Sequence, residues 1–104
     1  MAKMIVIYKT PKDVKAFNQH YFEVHLPLAK KLPGLKKYEV SQGPVVDLGG
    51  ARDTYLVGTL EFESLAAIRT AFASEVGQAC AKDREIYAPN DEDFQMFLLD
   101  DKPM

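Results

Sequence analysis

The chain has a single cysteine among its 104 residues, so no intrachain disulfide can staple it and no CxxC pair offers redox chemistry or a zinc site. Neither sign of charge prevails: thirteen Lys and Arg stand against fifteen Asp and Glu, a formal net charge of -2. That balance lacks the electrostatic footprint needed for a nucleic-acid backbone or an anionic membrane, and neither is expected as a partner. Long hydrophobic runs are missing too. The first apolar stretch, Met4 to Tyr8, is too short for the hydrophobic part of a secretory signal, and no run approaches the roughly 20 residues that cross a bilayer. The expectation is a soluble, cytoplasmic protein. Gly49-Gly50 is followed by no phosphate-loop GK[ST], and Asp91, Glu92 and Asp93 lack the glycine and spacing of a calcium loop. Neither nucleotide nor metal is expected.

What is present is the composition of an ordinary globular protein, 47% hydrophobic and 27% charged, in a length that suits one domain over residues 1–104. Met4 to Tyr8, β-branched and aromatic, reads as a strand. Thr10-Pro11-Lys12-Asp13 then offers a cap, a proline for the first helical position and an acid three residues after the cap, which predicts a helix start there. At 100° per residue, Val14, Phe17, Tyr21, His25, Leu28 and Leu32 share one side of that helix. Pro27 predicts a kink or restart near His25, and Leu32-Pro33-Gly34 predicts the end, with glycine taking the left-handed conformation.

Leu35 to Gln42 and Thr54 to Phe62 read as the second and third strands. The connection between them, Gly43 to Asp53, is longer than a hairpin needs, a length often associated with function. Ser64 is a candidate cap for a second helix in which Leu65, Ile68, Phe72, Val76 and Ala79 recur at helical spacing, with a break around Ala73-Ser74. Asp83 to Asp93 reads as polar and irregular, and Phe94 to Leu99 as the last strand.

Strand, helix, strand, strand, helix, strand is the ferredoxin-like order: an α+β fold with a four-stranded antiparallel sheet and both helices on one face. The first and last strands are apolar on both sides, Ile5 and Ile7 alternating with Met4, Val6 and Tyr8, and Phe97 and Leu99 with Phe94, Met96 and Leu98. A second copy packed sheet to sheet would cover the open face, so a homodimer closing into an α+β barrel is expected. A cleft between helices and sheet is then the natural place for a small ligand.

His25, in the apolar side of the first helix, must find a partner or serve a purpose, and burial would keep its imidazole neutral. The competing role is structural, a bond to a backbone carbonyl across the Pro27 break. His20, five positions earlier, lies about 140° away around a regular helix, so the two are not expected to act as a pair. Tyr38 is a candidate hydroxyl donor in the same cleft, or a packed ring bonded to a neighbour. Cys80 reads as a small buried hydrophobe.

Phe17-x3-Tyr21-x3-His25-x-Pro27-Leu28-Ala29, followed by Leu32-Pro33-Gly34-Leu35 and Tyr38, resembles the EthD family, named for ethyl tert-butyl ether degradation. Glu75-Val76-Gly77-Gln78-Ala79-Cys80-Ala81-Lys82-Asp83 resembles the family's second hallmark. The resemblance implies a dimeric α+β barrel related to muconolactone and methylmuconolactone isomerases, cofactor-independent quinone-forming monooxygenases and haem-degrading monooxygenases. From the methylmuconolactone isomerases it implies catalytic roles for His25, as general acid and base, and Tyr38, as hydroxyl donor to a lactone or phenolic oxygen. Phe17, Tyr21 and Leu28 of the same motif are the expected ligand contacts. The function implied is a catabolic protein that binds a small oxygenated hydrophobic compound, as an isomerase or monooxygenase without cofactor, or as a non-catalytic accessory of an oxygenase pathway such as ether degradation. Neither histidine lies in a recognisable haem motif.

Overall fold

The computed structural model describes residues 1–50 and 52–104. Ala51, in the long connection singled out above, lies outside the described residues. β1 spans Ala2–Tyr8, and its burial alternates: Ala2, Met4, Val6 and Tyr8 are buried while Lys3, Ile5 and Ile7 are half-exposed. Alternation of this kind is what a pleated strand does when one face meets a core.

The first helix begins later than the Thr10-Pro11 signal predicts. Asp13 is the cap, its side chain accepting the backbone N–H of Ala16 at 3.0 Å, and α1 runs over Val14–His20. Thr10 instead bonds the Asp53 carboxylate, so of two residues able to cap, the one with a competing tertiary partner loses the role. A five-residue π-helical turn, Tyr21–His25, follows α1 and leads into α2, Leu26–Ala29. Two shorter turns end the helical run near Leu32, and Gly34 adopts a φ of 78°, the left-handed conformation that suits glycine.

β2 is Lys37–Val40 and β3 is Leu56–Phe62, both shorter than the sequence reading. α3 spans Leu65–Ala73, capped by Ser64, whose hydroxyl accepts the Ala67 N–H at 3.0 Å. Ser74 breaks the helical run as expected and at once caps α4, Glu75–Tyr87, accepting the N–H of Gly77 at 3.1 Å. α4 corrects one expectation: residues 83–87 are helical, not irregular. A 3₁₀ turn, Asp91–Asp93, leads into β4, Phe94–Asp100.

The sheet order is β2-β3-β1-β4, antiparallel throughout, which is the ferredoxin-like topology. Its inner face carries Met4, Val6, Tyr8, Leu56, Leu60 and Phe62, packed in one core with Phe17, Tyr21, Ala29, Leu32, Ile68, Ala71 and Cys80 from the helical layer. Close approach of α3 and α4 depends on Gly77, where a Cβ would lie 2.4 Å from the carbonyl oxygen of Ala71 and 2.4 Å from Cα of Phe72. On the outer face, Ile5 is paired with Phe97, Ile7 with Val57, and Lys3 with Leu99. Phe97 is 47% exposed, so this apolar strip lies open in the single chain. No helix among the described residues is long and apolar enough to cross a membrane.

Candidate functional site

Between the helices and the inner face of the sheet is a cavity of about 280 Å³. Its walls are mostly apolar, among them Met4, Val6, Leu32, Leu60, Phe72 and Phe94, and into them are set Tyr8, His25, Tyr38, Cys80, Arg84 and Tyr87. A second, open groove of about 460 Å³ involves the start of the long connection, from Gly43 to Val45, and Tyr55. The hydroxyl of Tyr55 is already donated to the Asn18 amide oxygen at 2.7 Å. His25, Tyr8, Tyr38 and Tyr87 line the first cavity, which makes it the candidate site.

His25 takes its position from the π-helical turn. Pro27 has no N–H to donate, and in a regular helix its ring would collide with the carbonyl four residues back, at Glu23. The chain widens instead: the N–H of Leu26 reaches the carbonyl of Tyr21, five residues earlier. A turn closed over five residues brings residues five apart to the same side. His20 and His25 therefore converge, contrary to the 140° separation expected from a regular helix, and Asp83 of α4 receives both. Oδ1 of Asp83 lies 2.8 Å from Nε2 of His20, and Oδ2 lies 2.9 Å from Nδ1 of His25. The partner of His25 is this carboxylate and not the backbone carbonyl that a structural role across the Pro27 break would use.

A carboxylate only accepts, so both imidazoles carry a proton on the nitrogen that faces Asp83. For His25 that leaves Nε2 as the lone-pair atom. No buried side-chain nitrogen or oxygen among the described residues lacks a partner, so Nε2, bonded to no protein group in that set, is not sealed, and His25 is one of the residues lining the cavity. Burial holds the His25 pKa below the ordinary value, with the charges of His20 and Arg84 acting in the same direction and the Asp83 bond and charge acting against them. The arrangement can present a neutral, oriented base to a bound molecule.

Two phenol pairs flank it. The hydroxyls of Tyr21 and Tyr38 are 2.8 Å apart, and those of Tyr8 and Tyr87 are 2.7 Å apart. Each pair holds two hydroxyl protons and uses one between its oxygens, leaving one to donate elsewhere. Burial raises the pKa of all four phenols, which keeps them as neutral donors. Gly58 leaves room for the first pair, since a Cβ there would lie 3.3 Å from the Tyr21 hydroxyl, a tight contact. Burial also pushes the Cys80 thiol up to about 11, so it is no thiolate nucleophile at neutral pH.

Of the five residues singled out from the sequence, the structure brings His25 and Tyr38 to the cavity wall. Phe17 and Tyr21 are buried in the layer behind it, their rings stacked at 5.6 Å, and Tyr21 stacks in turn on His25 at 5.6 Å. Leu28 packs against the core from a half-buried position and does not line the cavity. Asp83, Arg84, Tyr87 and Tyr8 were not picked out as site residues. The signal was present in part: Cys80, Arg84 and Tyr87 recur at helical spacing, and Asp83 ends the second motif.

An antiparallel βαββαβ sheet whose helical layer encloses a cavity with a carboxylate-oriented histidine defines a ferredoxin-like α+β protein with a small-molecule-sized site. The chain belongs to the EthD family, whose domain matches residues 9–91. It is 35% identical over 83 residues to an uncharacterised 11.0 kDa protein of Rhodococcus erythropolis from the thcB-thcC intergenic region, covering 80% of each chain. It superposes on an ethyl tert-butyl ether degradation (EthD) family protein of Bacillus halodurans with a TM-score of 0.87 at 28% identity, over 98% of this chain and 99% of that one. At 11% identity and a TM-score of 0.69, it shares its fold with SnoaB, a cofactor-independent oxygenase of Streptomyces nogalater, over 99% and 94% of the two chains. Dimeric ferredoxin-like proteins also occur among the structures it resembles.

Proposed function

We propose that the protein binds a small, oxygenated hydrophobic compound in the cavity beside His25 and transforms it by a route that begins with proton abstraction. It acts as an isomerase that returns the proton at another position, or as a monooxygenase without cofactor in which dioxygen is the oxidant, one of its atoms entering the substrate and the other leaving as water with two substrate electrons and two protons. The observation that carries this reading is the His25–Asp83 bond, which holds the imidazole on the wall of a mostly apolar cavity and leaves Nε2 to carry the lone pair. His25 takes a proton from the ligand, and a phenol of the Tyr21–Tyr38 pair donates to the oxygen on which charge develops. A lactone, phenol or quinone precursor meets both requirements. Phe17 and Tyr21 act on the ligand through the residues in front of them, and Leu28 through the packing of the helix.

The open apolar strip of exposed Phe97 and half-exposed Ile5, Ile7 and Leu99 supports a homodimer formed through the sheet. A cytoplasmic, catabolic setting is part of the same proposal. A mostly apolar wall also suits a carrier that holds an intermediate for an oxygenase and returns it unchanged.

The test is a thermal-shift screen of wild type and His25→Ala against lactones, phenols, quinones, tert-butyl ethers and hemin. A ligand of the folded state at 100 times its Kd stabilises by about 2.7 kcal/mol. A shift in the wild type that is lost in His25→Ala, followed by product formation, is the expected result. Binding without product identifies the carrier, and an equal shift in both proteins removes His25 from the site.

A further inference from the structure

Arg84 is the one side chain of the cavity wall with a fixed charge. It is held in place without being neutralised. Nη1 donates to the Ala88 carbonyl at 2.8 Å, and Cζ sits 4.2 Å above the Phe94 ring. Among the described residues no carboxylate lies within ion-pair distance of it. Its sequence neighbour Asp83 already gives one oxygen to each histidine.

A guanidinium has five N–H donors, and one here is accounted for. A half-buried cation among apolar side chains is costly to keep unpaired, and arginine's planar fork matches a carboxylate with two parallel bonds. Among the described residues no carboxylate lines the cavity, so the partner assigned to Arg84 is the ligand's. We propose that the cavity takes an organic carboxylate, its anionic group on Arg84 and its apolar body reaching His25. This rests on the small-molecule reading above and narrows it: a neutral ether offers Arg84 no charge to pair with, and a lactone or phenol that binds well carries an acid group as well. The Arg84 charge also acts on His25 in the direction that favours the neutral imidazole, consistent with a cation facing the same space.

Benzoate and benzamide, alike in shape and different in charge, are the probes, titrated into wild type, Arg84→Gln and Arg84→Lys while the His25 ring signals and the melting temperature are followed. Benzoate is expected to bind the wild type at least about tenfold more tightly than benzamide, to weaken with added salt, to lose that advantage in Arg84→Gln and to retain part of it in Arg84→Lys. Equal binding of the two probes to the wild type overturns the proposal and leaves the cavity reading standing, and this comparison holds even if Arg84→Gln folds poorly. Benzoate binding unchanged in a folded Arg84→Gln overturns it likewise. If neither probe at millimolar concentration moves the His25 signals, the carboxylate proposal falls, and the small-molecule reading is decided separately by the thermal-shift screen.

Discussion

Oδ2 of Asp83 lies 2.9 Å from Nδ1 of His25, although 58 positions separate the two residues. The contact joins the two sequence motifs, one on each helical segment, and converts a buried imidazole into a directed one. Because Oδ1 of the same carboxylate is bonded to His20, the carboxyl plane cannot turn freely.

Asp83→Asn tests that geometry. An amide supplies one acceptor and one donor where the carboxylate supplied two acceptors, so one imidazole must take the opposite tautomer. Nitrogen-15 NMR of the ring atoms should show the change. If it falls on His25, the Nε2 lone pair is lost from the cavity and any turnover drops by roughly 10² to 10⁴, the usual contribution of a positioned base. Stability should fall by about 1.5–3 kcal/mol with loss of the charged bonds. Unchanged tautomers on both rings would show that Asp83 does not orient His25.

How much of this was legible beforehand follows from the range of the forces involved. β1, Ser64 and the Ser74 break are set by local composition and capping, and the sequence reading located them. The start of α1 was misplaced because Thr10 and Asp13 can both cap and a contact with distant Asp53 decides between them. The pairing of His20 with His25 was hidden for a different reason. It depends on the π-helical turn before Pro27, which a fixed 100° period cannot represent. Asp83 lay in a recognised motif, yet only the packing of α4 against the π-helical turn gives its carboxylate a partner.

The depressed His25 pKa makes a prediction about pH and stability. The unfolded imidazole takes up its proton near 6.5, whereas burial makes the folded one accept it only at lower pH. Above 6.5 neither state is protonated and His25 adds no slope. As pH falls through 6.5 the unfolded chain binds the proton first, so stability declines until the folded value is passed and then levels off. Asp83 opposes the effect, and His20 and Arg84 reinforce it, while Tyr21 and Tyr87 pack on the ring as neutral groups. The melting advantage of wild type over His25→Gln should shrink between about pH 7.5 and about pH 5. An advantage that grows instead would mean the Asp83 charge outweighs burial.

Gly77 carries a steric prediction that is independent of the cavity chemistry. A Cβ at this position meets main-chain atoms of Ala71 and Phe72 at 2.4 Å, and backbone cannot rotate aside as a side chain can. Gly77→Ala should destabilise by about 3 kcal/mol, at the upper end of ordinary overpacking, despite alanine's better helix propensity. Urea unfolding measures it. A neutral or stabilising result would require α3 and α4 to sit farther apart than described.

The proposed homodimer is tested on the outer face of the sheet. Phe97 stands opposite Ile5 there, beside Ile7 and Leu99, in a strip too apolar to be at ease in water. Burying one phenylalanine on this face contributes about 1.5–3 kcal/mol, and a symmetric dimer counts each contact twice. Phe97→Glu is therefore expected to weaken association by at least about a hundredfold, removing two rings from the interface and putting a carboxylate on each copy in their place. The inner face and its cavity do not include this side chain, so the variant should retain its helical content and the His25 ring signals. Sedimentation at micromolar concentration should give a dimer for the wild type and a monomer for Phe97→Glu. A dimer that survives the substitution unchanged would place the interface elsewhere and leave this strip to another partner.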